Sequence, residues 1–208
     1  MKAVIFDFDG TIADSLLGVL AVYERAHDHN IPRTSDEVKG FRNKSIFEIS
    51  RTLKVPVHKM LWLAFFGRKE FVRHLDKVKL YHGMEKLLKD LHASGAKIYI
   101  LSTNRASTIR DFLKVNGLNG YVDKIYGKAW VLNKAPKLRQ LIAREQIDKT
   151  TAFMVGDEII DIKAAKKVGI LSFAVTWGYT SREGLERSEP TAIADSSAEL
   201  HKIIRGKK

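Results

Sequence analysis

From Gly83 onward, short apolar runs rich in β-branched residues alternate with segments of helical periodicity, and no other feature constrains the chain as much. Met84 to Ala93 reads as a helix ended by Ser94-Gly95, and Lys97 to Leu101 (KIYIL) as a buried strand. Ala106 to Val115 predicts a second helix, and Tyr121 to Tyr126, which alternates weakly, another strand. Pro136 stands where the first turn of a helix tolerates it, and that helix continues through Lys137 to Arg144. Ala152 to Val155 is then a strand, Ile159 to Lys167 a helix ended by Gly169, and Ile170 to Val175 a further strand. Strands apolar along their whole length and separated by helices belong to a parallel sheet covered on both faces, so the fold class is α/β.

One strand stands apart. Val4-Ile5-Phe6 is separated from its successor by a long, mixed, basic stretch. Asp14 and Ser15 are good N-caps for Leu16 to His27, and helical periodicity returns around Ser45–Leu53 and Val57–Leu75, punctuated by Pro56 and Gly67. The expected organisation is an α/β core of residues 1–14 and 83–208 with a helical insertion over 15–82. The joints near Ala13–Ser15 and Tyr81–Gly83 are the expected hinges. Arg205-Gly206-Lys207-Lys208 reads as a frayed basic tail.

A chain of 208 residues buries about 70% of the surface it exposes when unfolded, so it needs no staple. The absence of cysteine excludes a disulfide framework, a thiolate metal site and a cysteine nucleophile. No apolar run approaches the ~20 residues that span a bilayer, and Met1 to Phe6 meets Asp7 at once, unlike a signal peptide. A soluble, cytoplasmic protein with no membrane partner is expected. The formal net charge of +12 is the anomaly; it suits nucleic acid, an anionic membrane or an anionic small substrate.

In open α/β sheets ligands bind beyond the carboxyl ends of the strands. The first strand ends in Asp7-Phe8-Asp9-Gly10-Thr11, the second in Ser102-Thr103-Asn104, and a later one in Gly156-Asp157-Glu158 with Asp161 one turn further. Lys134 precedes a helix. On a regular strand Asp7 and Asp9 would point the same way, about 6–7 Å apart. Carboxylates that close repel, and one is protonated unless a cation compensates. Oxygen ligands with positions left for water and phosphate suit Mg2+. Gly10 lets the chain leave the strand in a tight turn.

These motifs together resemble the haloacid dehalogenase-like (HAD) superfamily of phosphatases: D-x-D-G-T at Asp7 to Thr11, a strand ending in Thr103-Asn104, a lysine before a helix (Lys134), and G-D-x-x-x-D at Gly156, Asp157 and Asp161. The order and spacing are closest to the phosphoglycolate phosphatase-like branch, whose helical cap follows the first strand. The resemblance implies a Rossmann-like core with a small cap, and hydrolysis of a small phosphorylated metabolite with Mg2+ through an aspartyl-phosphate. Asp7 would be the nucleophile and Asp9 the proton donor and acceptor. Mg2+ would sit on the carboxylates of Asp7 and Asp157 and the backbone carbonyl of Asp9. Thr103 would hold a phosphate oxygen, with Thr11 and Asn104 beside it, and Lys134 would neutralise charge. Asp161 would support Lys134 or a metal-bound water.

Several positions stay open. Ser102 competes with Thr103, and Lys128 and Lys137 compete with Lys134, because Asn133-Lys134-Ala135-Pro136 keeps only one proline of the common Lys-Pro-x-Pro. Glu158 either lies behind the metal ligands or merely favours the helix dipole. Arg42, in Arg42-Asn43-Lys44-Ser45, would suit the leaving group of an anionic substrate, or is a solvated loop residue. Trp62, Phe65 and Phe66 read as packing between insertion helices. Trp177-Gly178-Tyr179 reads as a packed turn, and the seven histidines show no ligand spacing. A phosphosugar mutase of the same superfamily would keep the first-strand pair. Phosphonate hydrolysis would need a Schiff-base lysine in the insertion, and nothing singles out Lys44, Lys54 or Lys59. A nucleic-acid-binding protein is unsupported: no helix-turn-helix, RRM pattern, zinc spacing or P-loop is visible. The charge itself divides unevenly, with +6 on residues 15–82, +4 on the last eight residues and +2 on the rest. That distribution suits a basic lid over an acidic, metal-binding centre.

Overall fold

The computed structural model describes residues 1–15, 51, 78–130 and 133–207, and helices are numbered among those. The helices expected at Leu16–His27, Ser45–Leu53 and Val57–Leu75 lie outside the described residues, except for Arg51, which is helical. Arg42, Lys44, Lys54, Pro56, Lys59, Trp62, Phe65, Phe66 and Gly67 also lie outside them.

The strands are β1 (Ala3–Phe6), β4 (Lys97–Leu101), β5 (Lys124–Tyr126), β6 (Ala152–Gly156), β7 (Leu171–Val175) and β8 (Ala192–Ala194), in one sheet of order β5-β4-β1-β6-β7-β8. Every pairing is parallel. β1 lies between β4 and β6, with Phe6 level with Ile100 and Val155. A strand flanked on both edges and covered on both faces must be apolar throughout, which is why Ala3-Val4-Ile5-Phe6 is wholly buried. A separate two-stranded ribbon joins β2 (Ala13–Asp14) to β3 (Lys79–Leu80). Asp14 is therefore a strand residue.

The helices are α1 (Met84–Ala93), α2 (Ala106–Val115), α3 (Ala135–Arg144), α4 (Ile159–Val168), α5 (Arg182–Glu186) and α6 (Ser197–Gly206). In α1 the buried residues Met84, Leu87, Leu88 and Leu91 recur at helical spacing and form one stripe. Leu138, Leu141 and Ile142 of α3 and Ala165 and Val168 of α4 pack with Ile5, Leu101 and Met154 on one sheet face. On alternate positions Val4 and Phe6 are equally buried, so the other face is covered as well.

The sheet is broader than the alternation predicts. β8, α5 and α6 follow Val175, beyond the last expected strand. The strand expected over Tyr121–Tyr126 shortens to Lys124–Tyr126, because only these residues pair with β4. The frayed tail is corrected too: Arg205 and Gly206 lie within α6, and the Lys2 ammonium donates to the Ile204 and Arg205 carbonyls, at 2.7 and 3.2 Å. Those are end carbonyls that the helix itself cannot satisfy.

The chain divides into two compact units, Met1–Ala13 with Leu80–Lys208, and Asp14–Lys79. The residues described below all belong to the first.

Candidate active site

β1 stops at Phe6, and the chain turns at once. The Asp7 N–H still donates to the Val155 carbonyl at 2.8 Å, so the sheet register sets where Asp7 stands. Phe8 is fully buried, edge-on to Phe112 at 5.1 Å between ring centroids. Its carbonyl accepts the N–H groups of Ile12 and Ala13, both at 2.9 Å, and the Gly10 N–H donates to the Ala13 carbonyl at 2.9 Å. A loop tied this closely holds Asp7 and Asp9 without a regular strand beneath Asp9. Gly10 has φ of 78°, a region that side chains with a Cβ avoid. A Cβ there would also overlap the Asp157 carboxylate.

The ends of three other strands meet the β1 loop. From β6 comes Asp157, fully buried, whose Oδ1 accepts from the Thr11 hydroxyl at 2.7 Å and whose Oδ2 accepts from the Tyr179 N–H at 2.8 Å. From β4 come Ser102 to Asn104. Ser102 is fully buried and its hydroxyl accepts the Asn104 N–H at 3.0 Å, while Thr103 and Asn104 remain partly accessible. The Asn104 amide donates to Asp9 Oδ2 at 2.7 Å. From β7 comes Trp177-Gly178-Tyr179. The Trp177 indole N–H donates to the Thr11 carbonyl at 3.0 Å, and a Cβ at Gly178 would overlap the Asp157 side chain. This turn touches the acids, although the sequence reads it as mere packing. No short motif marks it, and its relevance comes from the β6–β7 pairing.

Lys134, at the N-cap of α3, is buried and spans two carboxylates: its ammonium lies 2.7 Å from Asp7 Oδ2 and 2.8 Å from Asp161 Oδ1. Asp161 Oδ2 also accepts the Glu158 N–H at 3.3 Å, closing the cap of α4. Asp161 is thus ion-paired with Lys134. No ion pair joins Lys128 or Lys137 to these acids among the described residues; Lys128 contributes its backbone N–H to the Asn104 carbonyl at 2.7 Å.

One ammonium faces several acids, and their proton affinities reflect it. Burial, then the charges of Glu158, Asp7 and Asp161, push Asp157 well above the usual carboxylate range, against the Tyr179 N–H. Burial raises Glu158, opposed by Lys134 and reinforced by Asp7 and Asp9. Burial raises Asp161 to about 8, with Lys134 opposing and Asp7 and Glu158 adding to the rise. Burial alone would lower Lys134, but Asp161, Asp7 and Glu158 outweigh it and hold the ammonium protonated. The acids outnumber the cation, so the centre accommodates additional positive charge.

A divalent cation fits that deficit. Carboxylate oxygens of Asp7, Glu158 and Asp161 lie within 4.8 Å of one another, and an all-oxygen donor set suits Mg2+. The set expected from the sequence, the Asp7 and Asp157 carboxylates with the Asp9 backbone carbonyl, shares Asp7 with this cluster. The oxygens of all three aspartates already have protein partners: Thr11 and Tyr179 on Asp157, Phe8 and Lys134 on Asp7, Lys134 and Glu158 on Asp161.

The sequence profile of haloacid dehalogenase-like hydrolases matches residues 4–175. A phosphoglycolate phosphatase of Synechococcus elongatus is 31% identical over 207 residues, covering 98% of this chain and 97% of that protein. Pyrophosphatase PpaX of Listeria monocytogenes is 25% identical over 211 residues, covering 99% and 97%. Among solved structures, a predicted phosphatase from Clostridium acetobutylicum superposes with a TM-score of 0.80 at 25% identity, covering 98% of each chain. With its matched profile, parallel sheet and acid-lined strand ends, the chain belongs to the haloacid dehalogenase-like hydrolases and is a phosphatase of that family.

Proposed function

We propose that the protein hydrolyses a small phosphorylated metabolite through an aspartyl-phosphate on Asp7. One observation carries this reading above the others: the carboxylate at the end of the central strand is held 2.7 Å from a buried ammonium. That contact orients the Asp7 carboxylate toward an incoming phosphorus and places positive charge beside it. An Asp7 oxygen attacks phosphorus as the ester P–O bond breaks, and the leaving oxygen takes a proton from Asp9. Water then attacks the same phosphorus, Asp9 accepts its proton, and phosphate leaves with Asp7 restored. The Asn104 amide on Asp9 Oδ2 holds the carboxyl in one rotamer through both transfers. Thr103 and Thr11 offer hydroxyls to phosphate oxygens, and Lys134 offsets charge on the phosphoryl group.

Mg2+ is the proposed cofactor. Asp7, Asp157 and the Asp9 carbonyl would hold it, with Glu158 and Asp161 adding negative charge beside Asp7, and it would supply charge neutralisation for the phosphoryl oxygens. The proposed cap, residues 15–82, carries an excess of six positive charges, which attracts phosphate esters. Arg42 is its proposed contact to the leaving group.

The test is turnover of p-nitrophenyl phosphate with Mg2+ and with EDTA, in the native protein and in Asp7→Asn. Metal-dependent turnover in the native protein and none above background in Asp7→Asn is expected. Persistent activity in Asp7→Asn overturns the covalent mechanism. A panel including phosphoglycolate, pyrophosphate and sugar phosphates then identifies the substrate class.

A further inference from the structure

Trp177 stands between two segments that the reaction needs but the chain keeps far apart. Its indole N–H donates to the Thr11 carbonyl at 3.0 Å, in the loop that carries Asp7 and Asp9. Its ring lies against Tyr81, with centroids 6.3 Å apart and planes at 54°. Tyr81 is the first residue after β3, where the chain has just returned from the second unit, and its N–H donates to the Ile12 carbonyl at 3.1 Å. The outgoing strand β2 begins at Ala13, so outgoing and returning chain meet at Ile12 and Tyr81. Two residues beyond Trp177, the Tyr179 N–H holds Asp157, and Gly178 leaves only enough room for that carboxylate.

We propose that Trp177 is a positioning residue that couples the Tyr81 joint to the Asp7–Thr11 loop. This rests on the phosphatase reading above and goes beyond it. The indole hydrogen bond fixes the height of the Thr11 carbonyl, and through it the Thr11 hydroxyl that grips Asp157 Oδ1 at 2.7 Å. The aromatic contact makes the same indole sensitive to the angle at which the chain re-enters at Tyr81. A rotation at this joint therefore moves the loop that places the nucleophile. A residue acting this way contributes to the chemical step more than to ground-state binding.

Two substitutions separate the contacts. Trp177→Phe removes the N–H donor and keeps an aromatic ring; Tyr81→Leu removes the ring partner and keeps the hydrogen bond. For p-nitrophenyl phosphate, each is expected to lower kcat about tenfold while KM changes less than about twofold, with native far-UV circular dichroism. In the double variant the two losses are expected to be less than multiplicative, since both act through one indole. A second readout does not depend on turnover. With Trp62→Phe and Trp130→Phe, Trp177 is the only remaining tryptophan, and orthovanadate is expected to change its emission; adding Tyr81→Leu should abolish the change. Losses that multiply, kcat within twofold of native in Trp177→Phe, or an emission indifferent to vanadate each overturn the coupling. Failure of the phosphatase reading looks different: there the native protein itself lacks Asp7-dependent turnover.

Discussion

At the scale of single residues, Lys134 is the critical charge. It is 1% exposed and bridges Asp7 and Asp161. Removing one member of a buried pair strands the other, a cost of about 3–5 kcal/mol. Lys134→Ala is therefore expected to lower the melting temperature by about 10 °C, given about 2–4 °C per kcal/mol for a chain of this size. Adding Asp161→Asn should recover part of that stability, without activity, by removing one stranded carboxylate; scanning calorimetry on both variants checks the order. Gly178→Ala makes a second test. Its Cβ would overlap the Asp157 side chain, so activity is expected to fall by at least tenfold while the exposed control Lys86→Ala changes nothing. Asp7, Asp9, Thr103, Lys134 and Asp157 stand out in the sequence because a motif marks each, and the fold brings Asp7, Asp9, Lys134 and Asp157 to one edge of the sheet. Glu158, Trp177 and Tyr179 stand out less. The first looks like any acid at the start of a helix, and the other two act through an indole N–H and a backbone N–H that no residue pattern reveals.

At the scale of elements, local patterns predicted what local forces decide. α2 runs over Ala106–Val115, as its periodicity suggests, and α4 stops before Gly169, whose φ of 78° is the left-handed conformation that ends helices. β5 is shorter than its alternation suggests because its length depends on pairing with β4. The loop after β1 depends similarly on tertiary packing. Phe8 anchors it by burying its ring against Phe112, so Phe8→Ala is expected to destabilise the protein by about 3–5 kcal/mol. Activity should fall more steeply with temperature than in Val115→Ala, an exposed control on α2. Chemical denaturation with parallel activity assays measures both.

At the scale of the whole molecule, the balance of charge in the centre predicts a pH dependence. Asp157, Glu158 and Asp161 have folded pKa values above their unfolded ones, Asp161 at about 8. A raised carboxylate contributes stability that is fully present below its unfolded pKa, near 4, and lost as pH climbs through the folded value. Lys134, raised above 10.5, stays protonated throughout and does not alter the slope. In EDTA the melting temperature is therefore expected to fall between pH 6 and pH 8.5. Mg2+ should raise it more at pH 8.5 than at pH 6, because the cation binds carboxylates already ionised. A melting temperature in EDTA that rises over this interval would contradict the charge balance. The sequence by itself determined the alternation of strands and helices, the polar residues at the strand ends and the uneven distribution of the +12 charge, because periodicity and turn chemistry are local. Only the tertiary structure decided which of those acids share space. The Thr11–Asp157 bond spans 146 residues and the Trp177–Thr11 bond 166, and contacts at that separation exist only because the sheet order places β6 beside β1 and β7 next to β6.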